Sequence, residues 1–389
     1  MKIVIAPDSF KGSLSAIEAA EAMNRGVKRA VPDAETVLLP VADGGEGTLE
    51  TLVAATGGIR KSVTVTGPLG NKAAAEYGIL GDNETCVIEM ASASGLALVS
   101  QKELNPLITT TFGTGELIKH ALDDGYRSFI LAVGGSATND GGAGMLQALG
   151  LKILDQQNQE LSFGGGELAR VRKIDISGFD QRVKQSKFLI ASDVQNPLIG
   201  PDGASSVFGP QKGATPEDVT LLDKCLSHWA DKVEEVTSIH LHDRPGAGAA
   251  GGIGGAFQAF FPSEMKRGID VVIQYTGLFK LLPNTDLVIS GEGQVDFQTA
   301  SGKTPMGVAQ AAKSLEIPTI IMAGSVGTGI EVLYQFGIVS VNSIINQPMK
   351  LSDAIENASL LLERSTEQVV RTYFHSQIIK KQEVLQYEN

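Results

Sequence analysis

Asp8, Asp43, Asp140, Asp193, Glu292 and Asp296 stand in loops that follow short apolar runs, and Lys11, Lys212 and Lys303 lie inside or beside such loops. Glycine-rich stretches at 44–47, 134–144, 246–255 and 291–293 accompany them. These residue types suit phosphate chemistry. Phosphoryl transfer requires amides and cations around spread negative charge, carboxylates for Mg2+, and a group that orients the attacking hydroxyl. Glycine lets backbone N–H groups approach anionic oxygens. Mg2+ takes only one or two carboxylates beside substrate oxygens and water, so the acids cannot all be its ligands. An acid in such a loop can equally serve as a helix cap or an Asx turn.

Two familiar patterns lack their context. Gly246-Ala-Gly248-Ala-Ala-Gly251 has the spacing of a dinucleotide loop, but Leu241-His242-Asp243-Arg244-Pro245 before it is not a strand. Ser301-Gly302-Lys303-Thr304 looks like the end of a phosphate loop, yet position 297 is Phe where that motif needs Gly. Lys303 can still meet a phosphate at the start of the helix that Pro305 helps define. His240-x-His242 has strand-like spacing for a metal pair without a third ligand nearby, so ordinary surface histidines are expected there. His120 and His375 fall on predicted helix surfaces, and His228 sits beside Trp229 in a packing position. No G-x-S-x-G elbow with triad support occurs, which leaves acyl transfer without backing.

The loops need elements to hold them. Residues 2–6 and 36–40 read as strands, each followed by a polar loop and a helix, the first opened by a capping box at Ser15-x-x-Glu18. The same grammar recurs after 129–133, 187–191, 287–290 and 319–323, which is the signature of βαβ units and a parallel sheet. Ligands bind outside the carboxyl ends of such strands, so the separated loops are expected to gather. Residues 77–80 and 86–90, joined by Gly81-Asp82-Asn83, break the alternation with a hairpin. The turn Gly67-Pro68-Leu69-Gly70 precedes that break, and the alternation resumes at Asp286. The expected architecture is α/β with two α/β domains. A parallel-sheet three-layer domain (1–70 and 285–389) is interrupted by an inserted α/β domain (71–284). Ile3 and Ile5 are then expected in one core with Val288 and Ile320, and Val87 and Ile88 in another. The helical spacing after Ser352 suits a helix packed outside the first sheet.

Composition narrows the partners. With 32 basic against 44 acidic residues the net charge is -12, which disfavours nucleic acid as the main partner and leaves room for a local basic cleft that takes a small anion. The apolar start meets Asp8 and Lys11 at once, too short for a signal h-region, and no run reaches the roughly 18 apolar residues of a membrane span. Cys86 and Cys225 sit far apart in no ligand spacing, which fits a reduced, cytoplasmic protein. Among 389 residues, 45 are glycine, well above the roughly 7% usual, and they cluster after apolar runs instead of following a repeat.

Several long motifs resemble the bacterial glycerate kinase family. They are Lys2-Ile-Val-Ile-Ala-Pro-Asp8-Ser-Phe-Lys11-Gly-Ser-Leu-Ser15, Pro40-Val-Ala-Asp43-Gly-Gly-Glu46-Gly-Thr48 and Gly134-Gly-Ser-Ala-Thr-Asn-Asp140-Gly-Gly-Ala-Gly144. Ser192-Asp-Val-Gln-Asn-Pro-Leu198, Phe208-Gly-Pro-Gln-Lys212-Gly-Ala214, Gly246-Ala-Gly248, Gly291-Glu-Gly-Gln-Val-Asp296 and Gly302-Lys303-Thr-Pro305 continue the likeness. The resemblance implies ATP-dependent phosphorylation of D-glycerate at the 2-hydroxyl with Mg2+, giving 2-phosphoglycerate and ADP, and two α/β domains with the active site in the cleft between them. On that basis Asp193, Lys11 and Asp8 are the expected catalytic residues, with Asp193 orienting the hydroxyl. Gly44, Gly45, Gly135, Ser136, Gly141, Gly142, Gly291, Gly293 and Lys303 are expected to hold the nucleotide. Asp43, Glu46, Asn196 and Lys212 are expected to hold the substrate, and Asp140, Glu292 and Asp296 the metal. A nucleotide-cofactor oxidoreductase using 246–251 and a non-catalytic sugar-acid-binding regulator are the rival readings. Oligomeric state is not legible in these residues, a homodimer being one open arrangement.

Overall fold

Lys2–Pro7 pairs in parallel with Leu287–Val295, placing Ile3 opposite Leu287 and Pro7 opposite Gly291. The two ends of the chain therefore build one sheet. The computed structural model describes residues 1–297, 299 and 303–376. Its contacts divide into two units, Met1–Asp43 with the described part of Ile269–Asn389, and Gly44–Gly268.

The first unit holds a five-stranded parallel sheet in the order Ile338–Ser343, Thr319–Val326, Leu287–Val295, Lys2–Pro7, Glu35–Leu38. Period-two alternation splits its apolar residues between two faces. Ile3, Ile5, Leu287, Ile289, Ile320 and Met322 pack on one side with helices Ala16–Ala30 and Ala358–Tyr373. Ile321, Ala323 and Val295 pack on the other with helix Thr304–Lys313. The result is helix, sheet and helix in three layers. Val288, expected beside Ile3 and Ile5, is buried but lies outside their cluster, because neighbouring residues of a strand face opposite ways.

Ser15 opens helix Ala16–Ala30 with the capping box legible in the sequence: its hydroxyl accepts the Glu18 N–H, and Glu18 accepts the Ser15 N–H at 2.8 Å. Gly26 sits on the face of that helix turned to Ala358–Tyr373, where a Cβ would collide with the carbonyl oxygen of Glu363. Arg25 and Arg29 bridge to Glu363 at 2.8 and 2.7 Å across the same contact.

The second unit holds a six-stranded sheet in the order Ser263–Lys266, Lys187–Ala191, Ser128–Ala132, Thr85–Glu89, Lys72–Ile79, Ile59–Thr66. The first four run parallel and the last two complete an antiparallel edge. Its core, from Val65 to Phe261, is centred on Trp229, Phe129, Phe188 and Phe257. Val87, expected in this core with Ile88, is buried yet lies outside the cluster that holds Ile88, again by strand alternation. The structure places the unit's ends at 44 and 268, where the sequence suggested 71 and 284. Gly67–Gly70 is the turn of a hairpin, pairing Ile59–Thr66 with Lys72–Ile79 along its full length inside that unit. At the other end, Ile269 packs against Gly307 of the first unit, carrying helices Gly268–Thr276 and Leu278–Leu281 with it. Among the described residues no helix is long and apolar enough to cross a membrane.

Candidate functional site

In the first unit the strand order reverses between Lys2–Pro7 and Leu287–Val295. A reversal of this kind leaves a crevice at the carboxyl ends of the two strands, the usual ligand position in an open α/β sheet. Asp8 follows the first of them. Its N–H donates to Gly291 O at 2.8 Å, Oδ1 accepts the Ser9 N–H at 2.6 Å, and Oδ2 accepts the Thr304 hydroxyl at 2.6 Å. Thr304 is the first residue of helix Thr304–Lys313, so Asp8 is tied to a helix N-terminus. Burial, reinforced by the charge of Asp43, raises the Asp8 pKa to about 6, against the pull of its hydrogen bonds and of Lys11.

Glu292 belongs to the same electrostatic cluster. Burial raises its pKa to about 7, with Asp8 and Asp43 adding to the rise, while Lys303 and the Thr299 hydroxyl, 3.0 Å from Oε1, oppose it. Gly291 and Gly293, expected in a loop, are strand residues: pairing continues to Val295, with Glu292 opposite Ala323 and Gln294 opposite Ser325. Gly293 lies against the backbone of Phe10 and Lys11. Asp296 Oδ2 accepts from Gln294 Nε2 at 3.2 Å, and the Asp296 N–H donates to Thr299 Oγ1 at 3.3 Å.

Three carboxylates in one another's field, partly withdrawn from water and opposed by lysines, form a hard oxygen donor set carrying excess negative charge. That set fits Mg2+, which prefers oxygen ligands. Asp8 and Asp43, expected at catalysis and substrate, lie with Glu292 in this cluster.

In the second unit, loops from several strand ends meet. Gly134 N–H donates to Gly44 O at 3.2 Å, Gly141 N–H to Gly251 O at 3.0 Å, and Gly248 N–H to Asn196 O at 3.0 Å. The run 246–255 owes its glycines to this packing: a Cβ at Gly248 would strike Pro197 O, and one at Gly251 would strike Thr138 O. Ala250, Gly251 and Gly252 all adopt left-handed backbone, kinking helix Ala249–Phe260 so that it fits between the neighbouring loops. The dinucleotide-like spacing is therefore a packing device.

Several expected ligand residues make hydrogen bonds within the fold. Asp140, expected on the metal, is buried and accepts from Thr111 N–H and hydroxyl at 2.8 Å each, Gly142 N–H at 3.1 Å and Gly144 N–H at 3.3 Å. Gly141 and Gly142, expected to cradle nucleotide, direct their amides to Gly251 and Asp140. Lys212, expected on substrate, is buried, with Nζ donating to Ser136 Oγ at 2.8 Å and Thr138 O at 2.7 Å. Its burial lowers its pKa to about 7, with Asp140 opposing that shift. It pins the 134–140 loop and occupies Ser136.

Asp193 is exposed at the carboxyl end of Lys187–Ala191, and its Oδ1 accepts the Gly268 N–H at 3.0 Å. Asn196 donates to Asp202 O at 2.8 Å. Gly135 and Glu46 are exposed, and Gly45 is half-buried.

Glu89 was missed. It ends the apolar strand Thr85–Glu89, accepts N–H bonds from Gly47 and Leu49, and is raised to about 7 by burial, with Glu46 and Glu50 adding to the rise. Its signal in the sequence is an acid closing an apolar strand.

A sequence profile of the glycerate kinase family matches residues 3–374. A protein named glycerate kinase from Bacillus subtilis (strain 168) is 51% identical over 369 residues, covering 95% of this chain and 97% of its own. Glycerate 2-kinase from Escherichia coli (strain K12) is 48% identical, covering 96% and 98%. The crystal structure described as a "putative glycerate kinase 2" from Salmonella typhimurium LT2 superposes with a TM-score of 0.85 at 47% identity, covering 97% of this chain and 99% of that one.

Proposed function

The chain belongs to the glycerate kinase family, and from that membership we propose that it transfers the terminal phosphoryl group of ATP to the 2-hydroxyl of D-glycerate. The products are 2-phosphoglycerate and ADP. The observation that carries this reading is the likeness, over 96% of the chain, to a relative named glycerate 2-kinase. The rival readings lose their footing: the glycine run 246–251 is occupied by packing, and the acids and lysines of the first unit are in place.

Roles follow from the chemistry each residue can perform. Asp8, Asp43 and Glu292 would hold Mg2+, which supplies charge neutralisation to the phosphate oxygens. Lys11 and Lys303 offset the remaining phosphate charge, and the amides at the start of Thr304–Lys313 favour an anion beside them. Asp193 orients the acceptor hydroxyl and takes its proton. The exposed amide of Gly135 and the turn at Gly44 and Gly45 offer further anion contacts, and Asn196 a polar contact to the acceptor. An ADP-release assay across glycerate, glycolate, lactate and tartronate tests the acceptor, with enolase coupling to recognise 2-phosphoglycerate directly. Glycerate is expected to be preferred and its product to be an enolase substrate. ADP release with another acceptor alone, or a product that enolase ignores, overturns the assignment.

A further inference from the structure

Helix Pro216–Thr237 ends at Ser238, whose left-handed backbone (φ 60°) turns the chain back along the last turns of the helix. Leu241 is buried in the core of the second unit, and the histidines on either side of it lie nearer the surface. The rings of His240 and His242 stack with centroids 4.6 Å apart. His240 Nδ1 lies 2.8 Å from Glu234 Oε2, and His242 Nε2 lies 3.0 Å from Asp231 Oδ1. Glu234, His240 and His242 each offer a donor atom within 4.8 Å of the other two. His242 Nδ1 is buried without a hydrogen-bond partner, a state that ordinarily costs free energy.

The third ligand that the sequence did not reveal is thus Glu234, brought alongside by the turn at Ser238. We propose that Glu234, His240 and His242 form a binding site for a borderline divalent transition metal such as Zn2+, separate from the phosphoryl-transfer residues. Two imidazoles and a carboxylate suit such an ion, whereas Mg2+ prefers oxygen ligands alone. Metal–ligand distances of about 2.0–2.2 Å require the donors to draw together from their present spacing, which rotation of side chains near the surface allows. Asp231 supplies the outer carboxylate that commonly orients a ligating imidazole, and Asp243, 3.6 Å from His240, adds negative charge.

The site also has a mechanical connection. The carbonyl of His242 accepts N–H bonds from Leu198 at 3.1 Å and Ile199 at 3.3 Å, directly after Asn196 and Pro197. Fixing His242 therefore steadies the segment that follows Asp193. The test uses untagged protein stripped with chelator, titrated calorimetrically with ZnCl2 at pH 7.5. One equivalent is expected to bind with Kd at or below about 10 μM. His240→Gln and Glu234→Gln should each weaken binding by about tenfold or more, and His120→Gln, on another helix, should not. Zinc should slow hydrogen exchange at Leu198 and Ile199. Zinc binding that survives His240→Gln, binding that millimolar Mg2+ displaces, or no stoichiometric binding at all overturns the site; unchanged exchange at Leu198 and Ile199 overturns the coupling.

Discussion

Asp8 and Asp193 are both aspartates beside the carboxyl end of an apolar parallel strand, yet their surroundings differ. Asp8 is half-buried in the field of Asp43 and its pKa is raised to about 6, whereas Asp193 is exposed and bonded to Gly268 N–H. Asp193→Asn keeps an acceptor for that N–H, so the fold and ATP affinity should survive while kcat falls by about 10²-fold or more, the scale of a positioned acid–base group. Near-normal kcat in steady-state assays would reduce Asp193 to a turn cap. Asp8→Asn should instead raise the Mg2+ concentration needed for half-maximal rate. The pH dependence has a definite sign. Folded-state pKa values raised to about 6 for Asp8 and about 7 for Glu292 mean that the folded protein binds more protons than the unfolded chain between about pH 4 and 7. Their contribution to stability is present below pH 4 and is lost as pH rises through 6 and 7. Thermal melts of metal-free protein should show Asp8→Asn gaining Tm relative to the parent at pH 7.5 and not at pH 4.5. The composition of the cluster was legible, since Asp8, Asp43, Glu292, Lys11 and Lys303 all stood out in the sequence. Which acids repel one another was not, because that depends on which strand ends become neighbours.

Elements whose signals are local could be read directly. The capping box at Ser15 and Glu18 and the apolar strands 129–133 and 187–191 depend on residues a few positions apart, and the structure places Ala16–Ala30, Ser128–Ala132 and Lys187–Ala191 there. Elements that depend on distant partners could not. Gly67–Gly70 looks the same in sequence whether it separates domains or closes a hairpin, and only the pairing of Ile59–Thr66 with Lys72–Ile79 decides. The glycines of 246–255 suggested anion binding, whereas Gly248, Gly251 and Gly252 have the backbone of 138–141 and 196–197 pressed against them. Gly26 illustrates the same dependence within the first unit, since its smallness matters only because Ala358–Tyr373 returns from the far end of the chain to lie on it. Gly26→Leu must push the two helices apart or displace the Glu363 carbonyl and strain the Arg25 and Arg29 bridges. Overpacking of this kind should cost about 1–3 kcal/mol. Chemical denaturation should show a lower midpoint with KM for both substrates unchanged. An unaltered midpoint would mean that the helix contact is loose.

At the scale of the whole chain, two candidate boundaries for the inserted unit make opposite predictions about which fragment folds. Fragment 71–284 follows the turn signals of the sequence, and fragment 44–268 follows the division of contacts. Cutting at 71 removes Ile59–Thr66, leaving Lys72–Ile79 as an unpaired edge and depriving Glu116 and Asp124 of their bonds from Thr66 N–H and Lys61. Val65 would also be missing from the core that Ala75 and Tyr77 share, and Glu89 would lose the amides of Gly47 and Leu49 that lower its pKa. Running on to 284 adds Ile269, Val271, Val272 and Leu278, which are buried in the intact chain and would enter water in the fragment. An unpaired edge and an exposed apolar helix both promote association between chains. Fragment 44–268 avoids each fault, because every residue of the cluster around Trp229 and Phe257 lies within it. It should therefore be monomeric and unfold in one cooperative step, with Trp229 emission reporting a buried indole, while 71–284 should aggregate or remain without fixed tertiary structure. Size-exclusion chromatography with tryptophan-monitored denaturation distinguishes them. Cooperative folding of 71–284 together with failure of 44–268 would move the boundary back to the Gly67–Gly70 turn, and with it the strand Ile59–Thr66.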